Sequence, residues 1–193
     1  MFQRLWDRAF RSDRALSPEE DPTKDAPVHL VLSLPTLLRD PIEARAPATL
    51  ATADVFRQLL ARAERSIKIF SPYVDPTFTA LAQSARAPIQ IVTTLREARM
   101  RSSPVLERLA TTRPLAVRYL HEKHARSQMF QLHAKMILAD SSAAYIGSAN
   151  FTDTSMNYNF ELGVTIEEPG AIARLHAIFD YVFDFAAKPA EQL

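Results

Sequence analysis

Between residues 133 and 150 the chain sets six residue types at fixed offsets: His133, Lys135, Asp140, Gly147, Ser148 and Asn150. An imidazole is a nucleophile and a proton carrier near neutral pH, while Lys, Ser and Asn donate to oxygen-rich anions. The group that suits such a set is a phosphoryl. Attack by His133 on a phosphodiester gives a covalent phosphohistidine, which water resolves in a second step. The neutral imidazole must be held in one tautomer by a partner on its other nitrogen. Glu161 is the candidate for that task. If Phe160, Leu162, Val164 and Ile166 alternate toward the core, Glu161 faces the other way, and Gly163 on its face leaves room beside the acid.

The offsets follow strand geometry. Residues i and i+2 share a face, so His133 and Lys135 emerge together, as do Ser148 and Asn150. The intervening ADSSAA suits a tight turn with Asp140 at its start, which assigns Asp140 to turn formation and support within the set rather than to direct chemistry. Gly147 beside Ser148 keeps the patch open to a substrate. Taken singly, such residues are a structural His, a surface Lys and a turn. Together they arise by chance in fewer than about one chain in 100,000 at ordinary residue frequencies.

These residues need elements to hold them. Strand-length apolar runs alternate with helical patterns: VHLVLSL (Val28 to Leu34), TADVFRQLLARA, SIKIFSPY (Ser66 to Tyr73), a helix opened by Asp75-Pro76 and running through Ser84, PIQIVTT (Pro88 to Thr94), SPVLERLA and PLAVRYL (Pro114 to Leu120). QLHAKMILA, AAYIGSA and NFELGVTIE follow as three close strands, and a helix from about Pro169 to Ala186 buries Ile172, Leu175, Ile178, Phe179, Val182 and Phe183. This order predicts an α/β fold with a mixed β-sheet flanked by helices. The folded domain is expected over 27–188. Before it, residues 1–26 read as an amphipathic segment (Phe2, Leu5, Trp6, Ala9, Phe10) joined to the acidic linker SPEEDPTKDA.

Composition narrows the chemistry further. The 193 residues hold no cysteine, which removes disulfides, Cys-ligated zinc, Fe–S clusters and thiol catalysis. No run approaches the roughly 20 apolar residues of a membrane span, so a soluble, cytoplasmic chain is expected. The formal net charge is only +1, yet between Arg96 and Arg126 eight Lys or Arg face three Glu. That surplus of five leads into the strand bearing His133, so Lys123 and Arg126 are candidate substrate-binding residues for a polyanion. Tyr119 and Phe130 are either stacking surfaces or core. Only three glycines exist, Gly147, Gly163 and Gly170, and the last is assigned to the start of the final helix.

The pattern HxKxxxxDxxxxxxGSxN resembles the HKD signature of the phospholipase D superfamily, and FTDTSMNYNFELGV resembles its continuation, including an acid at Glu161. LARAERSIKIFSPYV and APIQIVTT are similar to the helix-strand rhythm of the small bacterial HKD endonucleases. The resemblance implies His133 as nucleophile or as its general-acid counterpart. It implies Lys135, Ser148 and Asn150, with Gly147 beside them, on the phosphate oxygens, and Glu161 orienting His133. It requires no metal or cofactor. The cycle uses two histidines, and His121-Glu122-Lys123 is a decoy, with Gln128 where the aspartate belongs. A single motif therefore leaves a homodimer with the site at its two-fold interface or an inactive monomer, and the homodimer is expected. The leading expectation is a largely sequence-nonspecific nuclease acting on DNA or RNA. The alternatives are a phospholipase or phosphatidyl transferase at a membrane surface, and a catalytically silent nucleic-acid binding or assembly module. The N-terminal segment is a candidate contact for a larger complex.

Overall fold

A computed structural model describes residues 27–43, 45–46, 49–94, 102–120 and 132–186. In chain order the elements are β1 (Val28–Ser33), α1 (Thr36–Glu43), β2 (Leu50–Ala51), α2 (Thr52–Arg62), β3 (Ile67–Phe70), α3 (Pro76–Gln83), β4 (Ile89–Thr94), α4 (Ser102–Ala110), β5 (Leu115–Leu120), β6 (Lys135–Ala139), β7 (Ala143–Gly147), α5 (Asp153–Asn157), β8 (Glu161–Ile166) and α6 (Pro169–Phe185). The strands form one sheet in the order β2-β1-β8-β7-β6-β3-β4-β5. β3, β4 and β5 run parallel through helical crossovers, whereas β3-β6-β7-β8-β1 pair antiparallel. The fold is α/β with a mixed sheet.

One face of the sheet carries α2 to α5. Val55, Phe56 and Leu60 of α2, Phe78 of α3, and Leu106 and Leu109 of α4 pack there on Ile69, Ile91, Ile137 and Tyr145. The opposite face carries α6, whose Ile172, Phe179 and Phe183 lie on Phe70, Val92 and Leu138. The Phe179 ring, fully buried 4.9 Å from that of Phe70, contributes about 2 kcal/mol by burial. Asp75 caps α3 as its position before proline predicts: one carboxylate oxygen accepts from the Thr77 N–H at 2.8 Å. The other accepts from the Asp153 N–H at 2.8 Å, so this one side chain also fixes the start of α5.

Three elements escape the sequence reading. α1 carries Pro41 inside it, β2 is two residues long, and α5 is a five-residue turn capped by Thr152. The orientation of β8 is a correction. Glu161, Gly163 and Thr165 face the helix-covered side and are buried, while Leu162 and Phe160, expected in the core, are 51% and 54% exposed. The physical reason is coverage. α6 lies over β6 and β4, and its cluster reaches Ala144 and Ile146 of β7 but on β8 only Ile166. Among the described residues no helix is long and apolar enough to cross a membrane. Residues 1–26, with the amphipathic segment and linker, lie outside those described.

Asp140 ends β6 with φ 52°, a left-handed backbone that suits a short polar side chain. Its carboxylate accepts from the N–H groups of Glu64, Arg65 and Ser66 at 2.9, 2.8 and 2.8 Å, and its own N–H donates to Ser66 O. Its carbonyl lies 2.6 Å from His176 Nε2, which ties in α6. Desolvation pushes the carboxyl pKa up, but the three backbone donors outweigh it and hold the acid below its ordinary value. The stabilisation is therefore complete above the usual carboxylate pKa of about 3.9 and is lost as pH falls through the lower folded value. Asp140→Ala is expected to cost about 2 kcal/mol in denaturant unfolding at pH 7, and the difference is expected to shrink as pH drops below about 4.

Candidate active site

The antiparallel register brings the N-terminal ends of β6 and β8 to the C-terminal ends of β7 and β1. Lys135 pairs with Gly147, Gly147 with Gly163, and Ser33 with Glu161. β6 begins only at Lys135 and β7 ends at Gly147, so His133, Ser148 and Asn150 sit in the backbone just beyond the strands rather than within them. The pairing of Lys135 with Gly147 places the chain leaving β7 beside the chain entering β6. His133 and Ser148 are exposed, and Lys135 and Glu161 are buried. Asp140 lies at the opposite end of β6, outside the cluster.

Glu161 is the hub. Its Oε2 accepts from Ser148 Oγ at 2.5 Å and its Oε1 from Asn159 Nδ2 at 3.1 Å. Ser148 Oγ also accepts from the Leu162 N–H at 3.1 Å, and the Ser148 N–H donates to Leu162 O. Lys135 Nζ donates to the His133 carbonyl at 2.8 Å. Burial lowers the Lys135 pKa, and the charge of Glu161 partly restores it. Among the described residues no hydrogen bond joins the His133 ring to Glu161; the carboxylate takes Ser148 and Asn159 instead. Asn150 Oδ1 is buried without a hydrogen-bond partner among the described residues.

Tyr145 is the residue that the sequence reading passes over. It shares a face with Gly147 and, across the sheet, with Gly163. A Cβ on Gly163 would lie 2.5 Å from Tyr145 Cε2, and one on Gly147 would lie 2.7 Å from Tyr145 Cζ and 2.8 Å from the Gly163 Cα. The space expected to be open at both glycines is filled by this ring. Two facing glycines beside one tyrosine at i+2 spacing were the signal for it. Burial, reinforced by the charge of Glu161, pushes the phenol up to about 12, so it is neutral beside the charged Glu161 and Lys135.

The basic run divides. Arg113 is spent on structure: its guanidinium donates to the carbonyls of Ala82, Ala85 and Ala87, locking the end of α3. Arg118 stacks over the Phe183 ring at 4.5 Å. Tyr119 is buried. Lys123, Arg126 and Phe130 lie outside the described residues, as do Arg96, Arg99 and Arg101.

A buried ammonium, a carboxylate, an exposed imidazole, a hydroxyl and an amide are the groups that binding an anion with non-bridging oxygens would call on. If Lys135 binds such an anion only when protonated, activity falls with rising pH as that proton leaves, at a pH below the ordinary lysine value of about 10.4 because burial lowers it. Lys135→Arg, which stays charged, is expected to lose that alkaline limb in a pH profile of kcat/KM, even if its rate at neutral pH is lower.

Residues 56–183 match the family model described as "Cardiolipin synthase, PLD-like domain". Among solved structures, Nuc, a phospholipase D family member from Salmonella typhimurium, is similar at 17% identity with a TM-score of 0.64, covering 83% of this chain and 96% of that one. NucT from Helicobacter pylori is similar at 15% identity and a TM-score of 0.62, covering 83% and 99%. TrmBL2, an archaeal chromatin protein with a novel mode of DNA binding, is similar at 14% identity and a TM-score of 0.54, covering 97% of this chain and 59% of that one. A search of curated proteins finds no match.

Proposed function

The chain belongs to the phospholipase D superfamily through its PLD-like domain, and from that premise we propose that it is a metal-independent, largely sequence-nonspecific nuclease that acts through His133 in a homodimer. The observation that carries this reading is the gathering of Lys135, Ser148 and Glu161 at one end of the sheet beside exposed His133. A ring nitrogen of His133 attacks phosphorus, forming a P–N bond as the P–O bond to the leaving group breaks. The partner copy's histidine gives its proton to that leaving oxygen. Water then attacks phosphorus, that second histidine takes a proton from the water, and the P–N bond breaks to return neutral His133. Lys135 holds the non-bridging oxygens, joined by Asn150 and by Ser148 once its hydroxyl turns from Glu161. Glu161 keeps Lys135 charged and Ser148 in place.

The second copy has a surface to meet. Val28 and Leu30 of β1 and Phe160 and Leu162 around β8 expose apolar side chains among the described residues, each roughly half accessible. They lie next to the strand that starts at Glu161, so a two-fold contact there puts two sites close together.

Nucleic acid is favoured as substrate by the basic residues between Arg96 and Arg126 that remain once Arg113 and Arg118 are set aside, still in excess of the three Glu, and by the DNA-binding neighbour of similar fold. The family description names a lipid synthase, so a phosphatidyl transferase is the second reading. The test is to incubate the purified chain in EDTA with single-stranded DNA, duplex DNA, RNA and labelled phospholipid vesicles, and to measure its solution mass. Cleavage of nucleic acid by a species with the mass of two chains is expected. Turnover of lipid alone overturns the substrate, and an active monomer overturns the dimer.

A further inference from the structure

β1 ends at Ser33, set by the sheet register directly across from Glu161. Ser33 is only 3% exposed, and its hydroxyl has no hydrogen-bond partner among the described residues. Such a group is costly to bury unless something comes to meet it. Ser33 lines an open cleft of about 260 Å³ between the end of β1, α1 and α5, to which Arg39, Thr49 and Asn157 contribute polar groups and Met156 an apolar one. Arg39 is exposed on α1 and makes no ion pair among the described residues. The cleft is smaller than the roughly 300–1,000 Å³ of sites that enclose a drug-sized ligand. It suits one phosphate and its immediate attachment, not a diacyl lipid.

We propose that this cleft is a second phosphate subsite, which holds the phosphodiester next to the scissile one on a polynucleotide. The proposal rests on the nuclease reading and deepens it. A polynucleotide carries a second anion at a short, fixed distance from the first, which an isolated phosphodiester does not. Ser33 lies one strand position from the hub of the site, on the same face, so the two anions are held side by side. Arg39 meets the second with a charged fork, and the Ser33 hydroxyl gives it the hydrogen bond that the protein leaves unmade.

The test uses single-stranded oligonucleotides with one cleavable linkage and a neutral methylphosphonate placed one linkage to its 5′ or 3′ side. Steady-state cleavage is compared for the native protein, Arg39→Gln and Ser33→Ala. In the native protein, neutralising the flank that occupies the cleft is expected to raise KM about tenfold, the size of one lost charge-assisted contact. In Arg39→Gln that penalty is expected to fall below about twofold, with Ser33→Ala between the two. An equal penalty in native protein and Arg39→Gln, or none in the native protein, overturns the subsite while leaving the nuclease intact. Failure of the native protein to cleave the unmodified strand overturns both.

Discussion

Replacing His133 with alanine is expected to reduce phosphodiester cleavage by about 1,000-fold or more, because the other amine of the cluster, Lys135, has no lone pair to offer phosphorus while Glu161 favours its charged form. The same change is expected to leave stability within about 0.5 kcal/mol, since His133 is exposed and its ring makes no hydrogen bond among the described residues. The pairing of these two results is diagnostic. A purely structural histidine would move the melting curve. One that only binds substrate would raise KM and spare kcat. Rates for His133→Ala and the native protein, together with denaturant melts of both, decide the matter.

The second large effect belongs to Gly147. An added Cβ there meets the Tyr145 hydroxyl oxygen, its Cζ at 2.7 Å and the Gly163 Cα at 2.8 Å. The last contact is backbone and cannot rotate away. The Tyr145 ring cannot easily yield either, being 1% exposed and packed edge-on against Phe56 with centroids 4.9 Å apart. Gly147→Ala is therefore expected to cost about 3 kcal/mol by overpacking, which lowers Tm by about 6–12 °C for a chain of this size. Because the strain passes to Glu161 and Lys135 through the Tyr145 ring, activity should fall too. Adding Tyr145→Leu, which vacates the space, should recover about 1–2 kcal/mol in a double-mutant cycle. Thermal unfolding of the two single variants and the double variant checks it.

How legible was this in the sequence? The six signature positions stand out because their spacing couples two paired strands, and pairing is what period-2 geometry specifies. The sequence predicts Asp140 as a turn residue, and its left-handed backbone and three accepted N–H bonds are the physical content of that turn. The orientation of β8 was not legible. Alternating Phe160, Leu162, Val164 and Ile166 marks one face as apolar but does not say whether a helix will cover it, and α6 reaches only the Ile166 end. The role of the two glycines was hidden for a related reason. Tyr145 claims their space only when β8 arrives beside β7, a contact no local pattern encodes. Charge counting failed at Arg113, since a guanidinium bound to three carbonyls counts the same as one in water. α1 is not legible because Pro41 breaks the pattern that a helix would otherwise show.

The central claim is that His133 becomes covalently bound to phosphorus during turnover. The direct measurement is to mix the protein with an oligonucleotide substrate, quench early in alkaline denaturant, which preserves P–N bonds, and locate the adduct by peptide mass spectrometry. A nucleotide adduct on His133, absent from His133→Ala, is the predicted result. An adduct on another residue, or full cleavage with no adduct at any early time, would contradict it.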